Sequence, residues 1–185
     1  MTLGRDDENN RFVGELSIGE SPTKDVDYVK QFEEQSKDND DHDVFNLSRI
    51  LQAQKSTYYT ALKEIKNGRK YSHWMWYIFP QIDGLGYSEI TKKYAIKNIK
   101  EAAAYLKHDI LGSRLIELST ALLELGTNNA NEVFGYPDYL KLKSSMTLFS
   151  QVNEAPIIFQ EVLNKFFSGE PDEKTLKILR SDMQL

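Results

Sequence analysis

The residues best suited to chemistry lie close together in residues 70–81 (KYSHWMWYIFPQ). This segment contains both tryptophans of the chain, Trp74 and Trp76, and one of its three histidines. Large rings bury more apolar surface than other side chains, so they either belong to the core or line a pocket. Apolar walls with a few polar groups at their ends are typical of ligand pockets. The segment therefore predicts either a stretch of core or a pocket with Lys70 and Gln81 at its ends.

His73 is the candidate catalytic residue of this segment. Beside two tryptophans we expect its ring to be buried, which lowers the pKa of a histidine and keeps it neutral. A neutral histidine could act as a general base or bond a ligand, but a core histidine bonded to a backbone carbonyl is the more common outcome. The indoles of Trp74 and Trp76 could stack on a base or a nicotinamide, although such rings more often lie in the core. On a helix, positions 73, 76 and 77 share one face and the other apolar positions lie away from it.

A second polar segment is found at residues 134–147 (FGYPDYLKLKSSMT). Proline favours the first turn of a helix, and helix N-terminal amides together with lysines and hydroxyls form anion sites. The candidate ligand-binding residues here are Lys141, Lys143, Ser144 and Ser145. The alternative is that Ser144 caps the helix and the lysines are solvated. Asp138 is either a second catalytic residue or a charge that interacts with the helix dipole.

The elements that must position these residues are predicted to be helices. Apolar residues recur at helical spacing, and strand-like alternation is not found. Asn46 and Asp109 are predicted N-caps, and Asn98 with Glu101 has the spacing of a capping box. We expect an all-α domain of eight or nine short helices, over residues 44–185.

The charge of the chain is unevenly distributed. The 185 residues carry a net charge of −5, of which residues 1–43 carry −8 and the remainder +3. Residues 1–43 therefore predict a disordered acidic tail, within which residues 25–35 could form a short helix. The weakly basic remainder suits a small anionic ligand and argues against duplex nucleic acid.

Several classes of function are disfavoured by composition. There is no cysteine, and neither the histidines nor the acidic run at residues 37–43 has metal-ligand spacing, so we expect no metal. Gly84-Leu85-Gly86 lacks the third glycine of a dinucleotide fingerprint, and no other feature indicates a bound cofactor. Without a long apolar run or a signal-peptide pattern, we expect no membrane association and an intracellular location, in the cytoplasm or nucleus.

Six motifs are spread along the chain, namely FNLSR at 45–49, GRK at 68–70, SHWMWYIFPQ at 72–81, YLKH at 105–108, LGSRL at 111–115 and KLKSSMTLF at 141–149. Taken together, they resemble a family of bacterial and fungal proteins of unknown function, some of which carry the label "calpastatin". The resemblance covers about residues 44–179 and implies a compact, mostly helical single domain. No segment resembles the repeat of a true calpain inhibitor.

A more distant similarity is to the YbiA-like family, through LQAQK at residues 51–55, YLKH and Phe134-Gly135. That family is associated with NAD and ADP-ribose chemistry and with N-glycosidic hydrolysis. The similarity implies that Arg49 and Gln54 help to bind a ligand, with Arg49, Lys141 or Lys143 on a phosphate. It also implies that His73 or Asp138 acts at the glycosidic carbon. In the family a Glu-His pair precedes the LQAQK run, whereas Ser48 and Arg49 stand there in this chain.

The sequence thus supports two hypotheses. In the first, the domain is an enzyme or a degenerate enzyme that binds a small phosphorylated nucleoside such as ADP-ribose, and hydrolysis of the N-glycosidic bond is its candidate reaction. In the second, it is a non-catalytic protein-interaction domain with a regulatory acidic tail, which predicts an exposed apolar patch. Neither hypothesis fixes an oligomeric state.

Overall fold

The computed structural model describes residues 43–182, and within this range all the regular secondary-structure elements are helices joined by loops. The predicted acidic tail and its short helix near residues 25–35 lie outside the described residues. The helices are α1 Ser48–Gln54, α2 Tyr58–Lys66, α3 Met75–Ile78, α4 Glu89–Tyr94, α5 Ile99–Lys107, α6 Asp109–Leu123, α7 Ala130–Phe134, α8 Asp138–Ser150, α9 Ile158–Phe167 and α10 Glu173–Asp182. The all-α prediction is confirmed, and the described range holds ten helices because the short α3 and α7 both form.

Strand-like pairing in the described range is limited to one isolated parallel bridge between Ile82 and Ile96. The amide of Ile96 donates to the carbonyl of Gln81, and its own carbonyl accepts from Asp83, both at 2.8 Å. This bridge ties the segment after α3 to the segment before α5.

Two of the three predicted caps differ from the structure. At α1 it is the carboxylate of Asp43 that accepts the amides of Leu47 and Ser48, at 2.6 and 2.8 Å. At α6 the Nδ1 atom of His108 accepts two helix amides, and burial lowers the pKa of this histidine, which keeps Nδ1 free to accept. In both cases a residue upstream of the expected one folds back onto the helix end. The Asn98 cap of α5 is confirmed.

The core surrounds α8. This helix packs against α5, α7, α9 and α10, and α6 packs against α2, α5 and α9. Residues 144–149 are buried without interruption, so α8 is enclosed on nearly every side. A helix enclosed in this way is a rigid support for side chains at its exposed first turn.

None of the helices in residues 43–182 is both long enough and apolar enough to cross a bilayer.

Candidate functional site

The loop between α2 and α3 is organised by Glu64, a residue of α2. Its carboxylate accepts the backbone amides of Tyr71, at 2.9 Å, and Ser72, at 3.0 Å, and the indole N–H of Trp74 at 2.8 Å. Burial alone would raise the pKa of Glu64, but these hydrogen bonds outweigh it and hold the pKa below its ordinary value. Glu64 is therefore ionised near neutral pH and folds the loop back onto α2.

Lys70, within this loop, reaches the first turn of α8. Its backbone amide donates to the carbonyl of Val133 at 2.7 Å. Its Nζ lies 2.7 Å from Oδ2 of Asp138, and the Nζ of Lys141 lies 2.7 Å from Oδ1 of the same carboxylate. The side chains of Lys70, Asp138 and Lys141 are 9%, 17% and 21% exposed. Two ammonium groups thus share one partly buried carboxylate.

The two indoles lie against these ammonium groups but differ in exposure. The Nζ of Lys141 is 4.7 Å from the ring centroid of half-buried Trp76. The Nζ of Lys70 is 5.1 Å from the ring of Trp74, which is fully buried and packs edge-on against Phe134. Trp74 is therefore part of the core and leaves no face for a ligand. We call Lys70, Trp76, Asp138 and Lys141 the lysine–tryptophan cluster.

The cluster carries a formal charge of +1, from two lysines and one aspartate. Burial would raise the pKa of Asp138, but hydrogen bonds and charges from Lys141 and Lys70 outweigh it, so the pKa lies below its ordinary value. An ionised carboxylate can stabilise positive charge or accept hydrogen bonds. It cannot act as a general acid near neutral pH, which restricts what Asp138 could do in a reaction.

His73 is not buried, which makes the expectation of a buried ring wrong. The side chain is exposed, since His73 lies two residues before α3, and Trp76 and Tyr77 form the outer side of that helix while Trp74, Met75, Ile78 and Phe79 are buried. The predicted division of this segment into buried and outer positions is confirmed, whereas a pocket on the outer side stays a prediction. Within the described range no hydrogen bond, ion pair or ring contact joins the His73 ring to the cluster.

The hydrogen bonds of the Arg49 guanidinium all go to residues outside the cluster. The guanidinium has five N–H donors, and each has a protein acceptor. These acceptors are Glu101 Oε1 at 2.6 Å and the carbonyls of Phe45, Asn46, Lys93 and Ala95. Since no N–H remains for a phosphate, Arg49 links the start of α1 to α5 and is structural here.

Gln54 and Gln81 are also held by the fold. The amide nitrogen of buried Gln54 donates to the carbonyl of Tyr77 at 2.8 Å and to the hydroxyl of Tyr105 at 3.2 Å. Gln81 is buried next to the backbone bridge described above. Neither residue contacts the cluster.

The three other candidates on α8 have no hydrogen bond, ion pair or ring contact with the cluster in the described part of the chain. Lys143 Nζ lies 3.8 Å from Glu170 Oε2 and over the ring of Phe167. Ser144 donates to the carbonyl of Leu140 at 3.1 Å, so it does not cap the helix. The hydroxyl of Ser145 is buried and has no hydrogen-bond partner in the described part of the chain. Both serines are internal because α8 begins at Asp138, a full turn before them.

Two of the amides at the start of α8 are already hydrogen-bonded within the protein. Tyr139 and Leu140 donate their amides to the carbonyls of Gly135 and Pro137, at 3.0 and 3.1 Å. An anion at the start of α8 would therefore be bound mainly by lysine ammonium groups.

The described residues contain no group of three or more side chains that could hold a metal ion.

Glu64 was not identified from the sequence. It is one of several charged residues on α2, and its spacing to Ser72 and Trp74 has no recognisable pattern. The cation–π contact of Lys141 with Trp76 could not be identified from the sequence either, because the two residues are 65 positions apart in the chain.

The comparisons with known proteins agree with this architecture. A family model described as "Protein of unknown function (DUF1810)" matches residues 44–179. The chain is also similar to a solved structure, that of the conserved hypothetical protein Rv1873 from Mycobacterium tuberculosis. The identity is 42%, the match covers 75% of this chain and 99% of that one, and the TM-score is 0.73.

No curated protein matches the chain, and neither match bears on the similarity to the YbiA-like family. The family match extends over most of the chain, including α1 to α9 and the first seven residues of α10. The chain therefore belongs to the family described as "Protein of unknown function (DUF1810)".

Proposed function

We propose that the lysine–tryptophan cluster binds a small phosphorylated nucleoside, such as ADP-ribose or another NAD-derived metabolite. The observation that supports this is the meeting of two ammonium groups on one carboxylate, with the Trp76 ring under one of them. The remaining +1 charge suits a phosphate, and the indole face suits a base or a sugar ring.

The hydrogen-bonding capacity of the lysines supports the same proposal. Each ammonium group has three N–H donors, and the contacts of Lys70 and Lys141 within the described range use one donor each on Asp138. The other donors are available to phosphate oxygens, which form short charge-assisted hydrogen bonds with lysine. Partial burial strengthens such bonds, because fewer water molecules compete for the same donors.

The proposal includes hydrolysis of the N-glycosidic bond, in which water adds to the sugar carbon as the C–N bond breaks, and the products are the free base and the phosphorylated ribose. Ionised Asp138 would stabilise the positive charge that develops at the sugar carbon, as carboxylates do in glycoside hydrolysis. Since Asp138 cannot supply a proton to the leaving base, we assign that step to His73, which is exposed and lies three residues before Trp76 in the chain.

A ligand titration tests the proposal. Thermal unfolding of the full chain is followed with ADP-ribose, NAD, AMP, GMP and ribose 5-phosphate, for the wild type, Lys141→Ala and Lys143→Ala. Lys143→Ala is the matched control, because it removes a lysine of the same helix that lies outside the cluster. A ligand at a hundred times its Kd stabilises the folded state by about 2.7 kcal/mol, so wild type and Lys143→Ala should melt later and Lys141→Ala should not.

The opposite results would refute the proposal. A thermal shift that persists in Lys141→Ala, or no shift with any of the five compounds at millimolar concentration, excludes this site. The absence of a shift would favour the interaction-domain hypothesis. Turnover is measured separately, by chromatography of released base, and should be lost in Asp138→Asn.

A further inference from the structure

A cleft with a volume of about 640 Å³ is lined by residues from the ranges 128–139 and 165–168. None of its lining residues belongs to the lysine–tryptophan cluster. One wall comes from the segment after α6, including Asn128 and Asn131. The others come from Tyr136 and Tyr139 at the start of α8 and from the end of α9, including Lys165. None of these residues was selected from the sequence, although the three asparagines within residues 128–131 could have indicated a polar site.

Two tyrosine rings form one side of the cleft. Their centroids, those of Tyr136 and Tyr139, are 6.4 Å apart with an angle of 53° between the ring planes. Tyr136 is 78% exposed, so most of its ring is in contact with solvent. Neither hydroxyl has a hydrogen-bond partner within residues 43–182. The pair thus offers ring faces together with free hydroxyl groups.

Carboxamide groups also line the cleft. The side-chain amides of Asn128 and Asn131 make no hydrogen bond within residues 43–182, whereas Asn129 is occupied by the amide of Asn131 and by Glu132. A carboxamide both donates and accepts hydrogen bonds. This is the capacity needed to bind a hydroxyl group, which also donates and accepts.

The charge of the cleft is already offset. Lys165 is the charged side chain among its lining residues, and its ammonium donates to the carbonyls of Leu123, at 2.7 Å, and Leu125. These carbonyls lie at the C-terminal end of α6, where the helix dipole is negative. The lining thus holds one lysine, whose ammonium group is already hydrogen-bonded to the protein, and no carboxylate.

We propose that this cleft binds a neutral carbohydrate. The C–H faces of a sugar ring pack against tyrosine rings, and its hydroxyls bond to the free carboxamides and phenols. The proposal is independent of the phosphorylated ligand proposed above, because the two sites have no residue in common.

The test uses the full chain labelled with ¹⁵N and three neutral probes, maltotriose, cellotriose and chitotriose. The side-chain amide signals of Asn128 and Asn131 should shift and saturate with at least one of them. Affinity should fall about five- to tenfold in Tyr136→Ala and in Asn131→Ala, as expected for the loss of one stacking contact or hydrogen bond. Tyr87→Ala is the matched control, since Tyr87 is another highly exposed tyrosine and does not line the cleft.

Three results would overturn the proposal: no response to any trisaccharide at millimolar concentration, a response unchanged in Tyr136→Ala, or binding of adenosine or glucose 6-phosphate alone. Lys141→Ala separates the two proposals, because it should remove the nucleotide response and leave the carbohydrate response intact. Failure at one site therefore leaves the other site's test valid.

Discussion

Asp138 is the residue on which the lysine–tryptophan cluster depends, because its two oxygens hold Lys70 and Lys141 at once. Without it, two ammonium groups would lie close together in a partly buried place. The carboxylate therefore has a structural role whether or not the cluster binds a ligand. Its contribution to stability can be measured directly through its ionisation.

Replacing Asp138 by asparagine should lower the free energy of unfolding at pH 7 by about 1–2 kcal/mol, between the values for exposed and for buried ion pairs. Because the folded-state pKa is lowered, the stabilisation by Asp138 is present above the ordinary pKa of 3.8. It is lost as the pH falls through the lower folded-state value. Denaturant unfolding between pH 7 and pH 2 should therefore show wild type and Asp138→Asn converging at acidic pH.

The control for this experiment is Asp182→Asn, which changes an exposed aspartate at the end of α10. It should leave the free energy of unfolding almost unchanged at every pH. A difference between wild type and Asp138→Asn that stays constant down to pH 2 would contradict the assignment of the lowered pKa to the lysine contacts.

At the scale of elements, α8 supports both candidate sites. Successive residues of a helix are 100° apart, so Asp138 and Lys141 share one face while Tyr139 and Lys143 share another. The first face joins the cluster and the second faces the cleft and the end of α9. The enclosed remainder of the helix holds both first-turn faces in position.

The contact between α5 and α6 requires a glycine. A Cβ atom at Gly112 would lie 2.1 Å from the backbone carbonyl oxygen of Leu106. Since that oxygen belongs to the backbone, relief requires the two helices to move apart. Gly112→Ala should lower the free energy of unfolding by about 1–3 kcal/mol or more, as overpacking does, in urea unfolding followed by circular dichroism.

Gly126→Ala is the matched control, because a Cβ atom there meets nothing within 4 Å. Its free energy of unfolding should stay within about 0.5 kcal/mol of wild type. Equal stability of the two variants would show that α5 and α6 do not approach as closely as described.

At the scale of the whole molecule, the folding unit can be tested by truncation. The match with the similar solved protein covers 99% of that protein but only 75% of this chain. A protein that corresponds to about this part of the chain therefore folds by itself. We expect a fragment of residues 43–185 to unfold cooperatively, with a free energy of unfolding close to that of the full chain. Thermal and denaturant unfolding of both proteins would check this.

A second fragment, residues 48–185, serves as the control. It lacks Asp43, whose carboxylate accepts the amides of Leu47 and Ser48, and it also lacks buried Leu47. Its free energy of unfolding should fall by at least about 1 kcal/mol, the typical value of a lost helix cap. Non-cooperative unfolding of residues 43–185 would contradict the predicted domain boundary.

Large exposed apolar side chains are distributed along the described chain, for example Tyr59, Tyr71, Tyr87 and Ile157. Single exposed apolar residues are normal on protein surfaces. Single residues of this kind are not evidence of a contiguous apolar patch. Such a patch, which the interaction-domain hypothesis expects, stays a prediction of that hypothesis.

The sequence by itself determined the helical fold and the two-faced aromatic segment. Both depend on local information, namely the spacing of apolar residues and the residues that begin and end helices. The same information placed Trp74 and Asp138 in segments that do meet in space. It could not tell which of the two indoles would stay accessible, because that depends on what packs against each face.

Only the tertiary structure decided which polar residues come together. Arg49 was a reasonable phosphate ligand until five protein acceptors surrounded its guanidinium, and Ser145 was a candidate until α8 was enclosed by its neighbours. Lys70 and Asp138 are 68 positions apart in the chain, yet their charged atoms are 2.7 Å apart. Contacts of this kind depend on how helices dock, and docking is set by the summed packing of many side chains rather than by any local pattern.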